Sequence, residues 1–362
     1  MRLAMLQVNI SFPSGSGNSL LLPEHSKVGD LKLLAQKSLG RGFLKLVTAN
    51  GHVLNNLADS LQSAGVQDGE RLTVVAQQPN MIATARAFAM WSCGSNTVII
   101  WGDPDSGGDC SAVQDQLRNV KQIQATNWAF AAILANGSVV TWGDPHRGGD
   151  CSAVQDQLRD VQQIQATNWA FAAILSDGSV VAWGRSDRGG DCSAVQDQLR
   201  NVKQIQATSS AFAAILSDGS VVAWGNPDWG GDCSAVQDQL RNVKQIQATS
   251  TAFAAILSDG SVVAWGRGGC SAVQDQLRNV KQIQATSGAF AAILSDGSVV
   301  AWGLPDWGGD CSAVQDQLRD VQQIQATSRA FAAILSDGSV VSWGNLAFGG
   351  DCSTVPDQLQ YL

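Results

Sequence analysis

Seven Trp-Gly pairs cut most of this chain into near-identical units. They begin at Trp101, Trp142, Trp183, Trp224, Trp265, Trp302 and Trp343, at spacings of 41, 41, 41, 41, 37 and 41 residues. A fixed period near 40 residues restricts the fold to a propeller, a solenoid or an array, because one such unit cannot bury its own apolar face. Most letters are copied verbatim, as in "SDGSVVAWGNPDWGGDCSAVQDQL" at residues 217–240. The first copy, "MIATARAFAMWSCGSNTVIIWG", is degenerate. The short spacing belongs to "WGRGGC", where a four-residue slot shrinks to Arg267.

Two architectures compete for the unit. In the first, "SVVAWG" is a β-branched strand entered through an Asp-Gly turn, and "AFAAILS" is the other arm of that hairpin. "VKQIQAT" alternates like a half-buried strand, and "GGDCSAVQDQL" supplies a fourth, outer strand. In the second, Ser111 caps a helix that aligns Val113, Leu117, Val120 and Ile123, which would make an α/β solenoid. Four short strands fit the period and seven copies can close a ring, so the propeller is preferred.

"QIQATSSAFAAILSDGSVVAWGNPDWGG" resembles the repeat of the regulator of chromosome condensation family, with its Asp-Gly-x-Val, Trp-Gly and Gly-rich exit. The resemblance implies a seven-bladed β-propeller over residues 79–362. The family's usual His-Thr is replaced here by Ala211-Phe212, the Gly before it by Thr208, and its Gly-Gln-Leu-Gly by Gly-Gly-Asp-Cys.

Residues 1–78 read as an α+β module. "LAMLQVNISF" and "NSLLLPEH" form a hairpin about "PSGSG". "VGDLKLLAQKSLG" puts Val28, Leu31, Leu34 and Ala35 on one helical face and stops at Gly40. "FLKLVTANGHVL" and "RLTVVAQ" are further strands, with "LADSLQSAGV" a short helical crossover. The order resembles a ubiquitin-like (β-grasp) domain. A conjugated tag needs a free Gly-Gly tail, whereas this chain runs on through "AQQPNM", so the resemblance implies an internal docking module. Its interaction patch would include Val47 and Val75; the plainer reading packs both against the propeller.

Charge narrows the partners. Residues 1–78 hold seven Lys/Arg against five Asp/Glu, a net of +2, and residues 79–362 hold sixteen against twenty-six, a net of −10. That acidity repels phosphate backbones, so no nucleic acid is expected. Neither a bilayer-spanning apolar run nor a signal-peptide layout is present, so a membrane-free cytoplasmic protein is expected, with the nucleus as the alternative.

Catalytic and metal chemistry find little support. Cys110, Cys151, Cys192, Cys233, Cys270, Cys311 and Cys352 recur once per unit without CxxC or His partners, and read as small buried hydrophobes. The Asp of "GGDC" (Asp109, Asp150, Asp191, Asp232, Asp310, Asp351) reads as a turn residue bonding its own backbone rather than a calcium ligand. His25, His52 and His146 assemble no nucleophilic triad. The Gly-Gly pairs lack the Lys-Ser/Thr of a phosphate loop. No enzyme, cofactor or metal is expected.

Two short sites escape the copying. One is the slot after Trp-Gly: "DPDS", "DPHR", "RSDR", "NPDW", Arg267 alone, "LPDW" and "NLAF". The other is the pair after "AT" or its counterpart: Ala85-Arg86, Asn127-Trp128, Asn168-Trp169, Ser209-Ser210, Ser250-Thr251, Ser287-Gly288 and Ser328-Arg329. In a three-strand meander both lie at one end. That face would carry Trp128, Trp169, Trp229, Trp307 and Phe348 with Arg147, Arg188 and Arg329, the residue types that anchor protein interfaces. The plainer reading is relaxed variation in loops. The expected function is a monomeric, non-catalytic scaffold that grips a protein partner through this face. Pairing the two resemblances suggests ubiquitin signalling, since such propellers also occur in HERC-type ubiquitin ligases, although their HECT domain is not found here. Guanine-nucleotide exchange on a small GTPase is the alternative that the resemblance implies, and a protein-inhibitor propeller is the third.

Overall fold

An Asx turn closes six of the repeat hairpins. Asp177 Oδ1 accepts the Ser179 N–H at 2.9 Å, and Gly178 adopts φ 79° at the bend, a conformation that suits glycine. The same bond recurs at Asp218, Asp259, Asp296 and Asp337, and Asn136 substitutes for Asp in one copy. These turns join the second and third strands in six of the seven three-stranded antiparallel sheets among the described residues. The computed structural model describes residues 4–93 and 98–353. In the fourth unit the strands are Val202–Ala207, Ala211–Leu216 and Val221–Gly225, with Phe212 opposite Trp224. The protein is mostly β, with the repeated sheets expected of propeller blades.

The expected fourth strand is not there. In the corresponding stretch the chain forms two 3₁₀ turns, Pro227–Trp229 and Ser234–Val236. Local bonds hold them: Asn226 Oδ1 accepts from the Asp228 N–H, Asp232 Oδ1 from the Ser234 N–H, and Gln237 Nε2 donates to the Val221 carbonyl. Side chains that satisfy nearby backbone groups in this way compete with a strand ladder. The rival helix fails at Asn119, whose φ of 54° ends any helical run before the strand Val120–Ala125 begins.

In the inner units the middle strand "AFAAIL" is buried on both faces because each of those sheets lies between two others. Ala170, Ala172 and Ala182 of the third unit pack into one cluster with Phe212 and Trp224 of the fourth. Small residues on one sheet receive the large aromatic pair of the next, which explains the Ala-Phe-Ala-Ala text. Phe212 and Trp224 stack at 5.2 Å between ring centroids. Trp224 Nε1 donates across the junction to the Gly189 carbonyl at 3.1 Å. Gly189 has to be glycine: a Cβ there would come within 2.6 Å of the Phe212 ring. A backbone bond also crosses each junction beyond "AT", such as Asn168 N–H to Ser209 O at 3.1 Å and Ser209 N–H to Ser250 O at 3.0 Å.

The first and seventh sheets each keep one face open. Phe88 and Trp101 are each 41% exposed, and Leu346 is 75% exposed. From the sequence, the ring is expected to close by pairing residues 79–84 with the C-terminal residues 353–362. Pro79–Ala83 pairs with Ala87–Ser92 inside the first sheet, and among the described residues the seventh sheet has three strands, Val321–Ala326, Ala330–Leu335 and Val340–Gly344. Residues 354–362 lie outside the described residues.

The N-terminal segment forms a separate sheet. Strands β1 (Met5–Ser11), β2 (Gly17–Pro23), β3 (Leu44–Val47) and β4 (Arg71–Ala76) pair in the order β2-β1-β4-β3, with β1 and β4 parallel. Helix α1 (Val28–Leu39) buries Val28, Leu31 and Ala35 against it and ends at Gly40, φ 62°. The crossover expected to be helical at "LADSLQSAGV" is a series of turns.

Two substitutions test the interlock. Phe212→Ala removes a fully buried ring and is expected to cost about 3–5 kcal/mol. Ala172→Leu forces a larger side chain against the next sheet and is expected to cost about 1–3 kcal/mol. Both should lower the thermal midpoint followed by circular dichroism.

Candidate partner-binding face

In six of the seven units a threonine ties the two variable sites together. Thr208 Oγ1 accepts the Ala211 N–H at 3.0 Å and donates to the Trp229 carbonyl at 3.0 Å. Equivalent bonds run from Thr84 to Ser106, Thr126 to Arg147, Thr167 to Arg188, Thr286 to Trp307 and Thr327 to Phe348. The strand-one turn and the slot therefore meet at one end of each sheet. Within each site the labour is divided. The first residue after "AT" gives its backbone to the next unit, while the second carries Arg86, Trp128, Trp169 and Arg329 in four of the units. In the slot, the first residue caps the 3₁₀ turn (Asp103, Asp144, Asn226, Asn345), and the fourth is buried at Ser106, half-buried at Arg147, Arg188, Trp229 and Trp307, and exposed at Phe348.

Those side chains interlock. The Arg147 guanidinium lies 4.5 Å from the Trp128 ring centroid and 5.2 Å from that of Trp169 in the next unit. The two indoles stack at 6.3 Å. Arg86 covers the outer side of Trp128 at 5.6 Å, and Arg185 reaches Trp169 at 5.5 Å. The run Arg86–Trp128–Arg147–Trp169–Arg185 spans three units. Arg188 reaches Trp229 at 6.0 Å. Arg329 bridges two further units, 4.5 Å from Trp307 and 4.9 Å from Phe348. Asp144 pairs with Arg147 and holds the guanidinium in place.

The four Trp of the face are half-buried and Phe348 is 39% exposed. Their rings lie against cationic side chains and one another rather than standing free in solvent. Such contacts fix rotamers before any partner arrives, which lowers the ordering cost of binding. Arg86 and Arg185 were not singled out from the sequence. Both occupy the variable sites, so membership of those sites was the signal.

Val47 and Val75 sit on one face of the N-terminal sheet, Val47 half-buried and Val75 42% exposed. Lys45, opposite Val75, donates to the Cys93 carbonyl at 3.3 Å, and Gln77 Nε2 donates to the same oxygen at 3.0 Å. The patch thus borders the first repeat sheet.

The cysteines and aspartates have structural surroundings. Cys110, Cys151, Cys192, Cys233, Cys270 and Cys311 are buried, burial pushes each thiol pKa up, and each S–H donates to a Gln four residues on. Asp109, Asp150, Asp191, Asp232, Asp310 and Asp351 each accept the N–H of the Ser two residues on, which holds their carboxyls below the usual range. Among the described residues no group of three His, Cys, Asp or Glu could hold a metal ion, and no helix is long and apolar enough to cross a membrane.

Two measurements follow. Alkylation of the native protein near pH 8 should label exposed Cys93 well ahead of the six buried thiols, which become reactive only on unfolding. The depressed aspartates stabilise the fold above the unfolded carboxylate pKa and lose that contribution as pH falls through their lowered folded values. The thermal midpoint should therefore stay level from about pH 8 to 5 and fall below about pH 4.

No family model and no curated protein matches this chain. Among solved structures it is similar to human WBSCR16, 15% identical over 73% of this chain and 89% of that one, TM-score 0.42. It is also similar to yeast RCC1 (Prp20) bound to Kap60, 18% identical over 62% and 70%, TM-score 0.39. The N-terminal ubiquitin-like domain of the 4931431F19Rik protein is 26% identical over 20% of this chain and 76% of that one, TM-score 0.19. With every TM-score below 0.5, the fold described above rests on its own strand pairing.

Proposed function

We propose that the chain is a non-catalytic protein-interaction scaffold that grips a protein partner through its arginine–aromatic face. The supporting observation is the cross-unit stack Arg86–Trp128–Arg147–Trp169–Arg185, assembled wholly from positions that escape the verbatim copying. Preset aromatic and arginine side chains on a rigid sheet stack are the composition of interface hot spots. In this reading residues 79–362 form a seven-bladed propeller, closed by seating the seventh unit's turn on the open Phe88–Trp101 pair, much as Gly189 seats on Phe212. Residues 1–78 are a ubiquitin-like docking domain whose Val47–Val75 patch lies beside the first blade, and the partner belongs to the ubiquitin pathway. Nucleotide exchange on a small GTPase is the alternative that the repeat resemblance implies.

Affinity capture from native extract with quantitative mass spectrometry tests the face. Trp128→Ala/Trp169→Ala should reduce recovery of the captured partner at least tenfold while leaving the thermal midpoint within a few degrees. Unchanged recovery removes the face from the reading. Release of a fluorescent nucleotide from purified small GTPases should be no faster with the protein than without it, and acceleration would favour the exchange-factor alternative.

A further inference from the structure

The truncated fifth unit leaves its neighbour without a bond that the comparable units make. Trp142, Trp183, Trp224, Trp265 and Trp343 each donate Nε1–H to a Gly carbonyl in the preceding unit's turn, at 3.0–3.1 Å. Trp302 has the same buried ring, stacked on Phe290 at 5.1 Å, but its N–H is buried with no acceptor. The spacing before it is 37 residues instead of 41, so the carbonyl-bearing turn is missing. A second acceptor goes with it. Thr208 and Thr286 donate to the Trp229 and Trp307 carbonyls, whereas Thr249 has only Ala252 O within its own turn.

A cavity of about 670 Å³ occupies this place, mostly apolar, with Arg267, Val273, Trp302, Leu304 and Trp307 among its walls. Gly230 and Gly231 are wedged against the Phe253 ring and a backbone carbonyl, but their counterparts Gly268 and Gly269 meet nothing within 4 Å. Arg267 is exposed and forms no ion pair among the described residues. In intact units this space holds a tight turn with two successive outward carbonyls and an Asp, such as Asn-Pro-Asp-Trp-Gly at residues 226–230.

We propose that this notch is a peptide-binding site that takes a tight, acidic turn of a partner protein, which replaces the turn the chain lacks. Two carbonyls of the incoming turn accept from Trp302 Nε1 and Thr249 Oγ1, its Asp pairs with Arg267, and an apolar side chain packs between Leu304 and Trp307. Buried donors left unmatched are costly, so a ligand that supplies acceptors gains what the isolated protein forgoes. The unpaired guanidinium adds charge complementarity to an acidic turn. The site lies between the Arg188–Trp229 and Trp307–Arg329 contacts but does not depend on the proposed role of the Trp128–Trp169 stack.

The test uses the full chain with ¹⁵N-labelled tryptophan and a head-to-tail cyclised peptide carrying the sequence of residues 225–232. Peptide addition should shift the Trp302 indole N–H signal, identified by its loss in Trp302→Phe. Trp302→Phe should weaken binding roughly fivefold. Arg267→Glu, a surface change that spares the core, should weaken it about tenfold. A variant with Arg267 replaced by Asn-Pro-Asp-Trp and an Asp restored before Cys270 should melt higher and lose peptide binding. Trp128→Ala/Trp169→Ala should bind the peptide unchanged, so failure of the aromatic-face reading would leave this result intact. The proposal is overturned if the Trp302 signal does not move, if the refilled variant binds the peptide equally well, or if affinity falls only with the Trp128/Trp169 pair.

Discussion

The tryptophan that ends each sheet and the glycine carbonyl of the preceding turn hold this repeat array together. The indole stacks on its own unit's phenylalanine, fills the space left by the previous unit's alanines, and donates its N–H across the junction. One side chain thus completes a strand, a core and an inter-unit bond. The nearly invariant letters follow from that geometry: Ala where the neighbour's rings arrive, Gly where a Cβ would strike Phe212, Thr where two loops must be tied. A solenoid-like stack gains stability from such nearest-neighbour terms, so a defect in one unit is felt chiefly by the next. Trp302 shows this directly, since its missing acceptor lies in the unit before it.

Freedom to vary is confined to positions outside that interlock. The fourth residue of the slot contributes only its carbonyl to the Thr bond, so Ser106, Arg147, Arg188, Trp229, Trp307 and Phe348 can differ while that bond is kept. The residue three after the first strand varies as well. Because the Thr bond brings these two positions together, their variation accumulates on one face. There cationic and aromatic side chains support one another, and the face is preset by contacts both within units and between them.

Much of the frame was legible in the text. Period, hairpin turns, the strand character of "VKQIQAT", "AFAAIL" and "SVVAWG", the helix Val28–Leu39 and its glycine stop all follow from local rules. The outer strand was misread because "GGDCSAVQDQL" has apolar residues at plausible spacing. Its Asp and Gln side chains instead satisfy backbone groups within a few residues, and that competition depends on geometry a letter pattern does not carry. Arg86 and Arg185 were overlooked for a related reason: each looks isolated in sequence and gains its aromatic partner only from a neighbouring unit or turn.

Sequence alone determined that the chain is a repeat array of short strands and which positions could vary, since periodicity, propensity and turn chemistry are local. Tertiary structure decided what the varying positions do to one another. Whether Arg147 meets one indole or two depends on how closely successive sheets approach. Whether a four-residue deletion merely shortens a loop or strips an indole N–H of its acceptor depends on a carbonyl in the adjacent unit. Both are distances between units, set by packing, and no window of the sequence contains them.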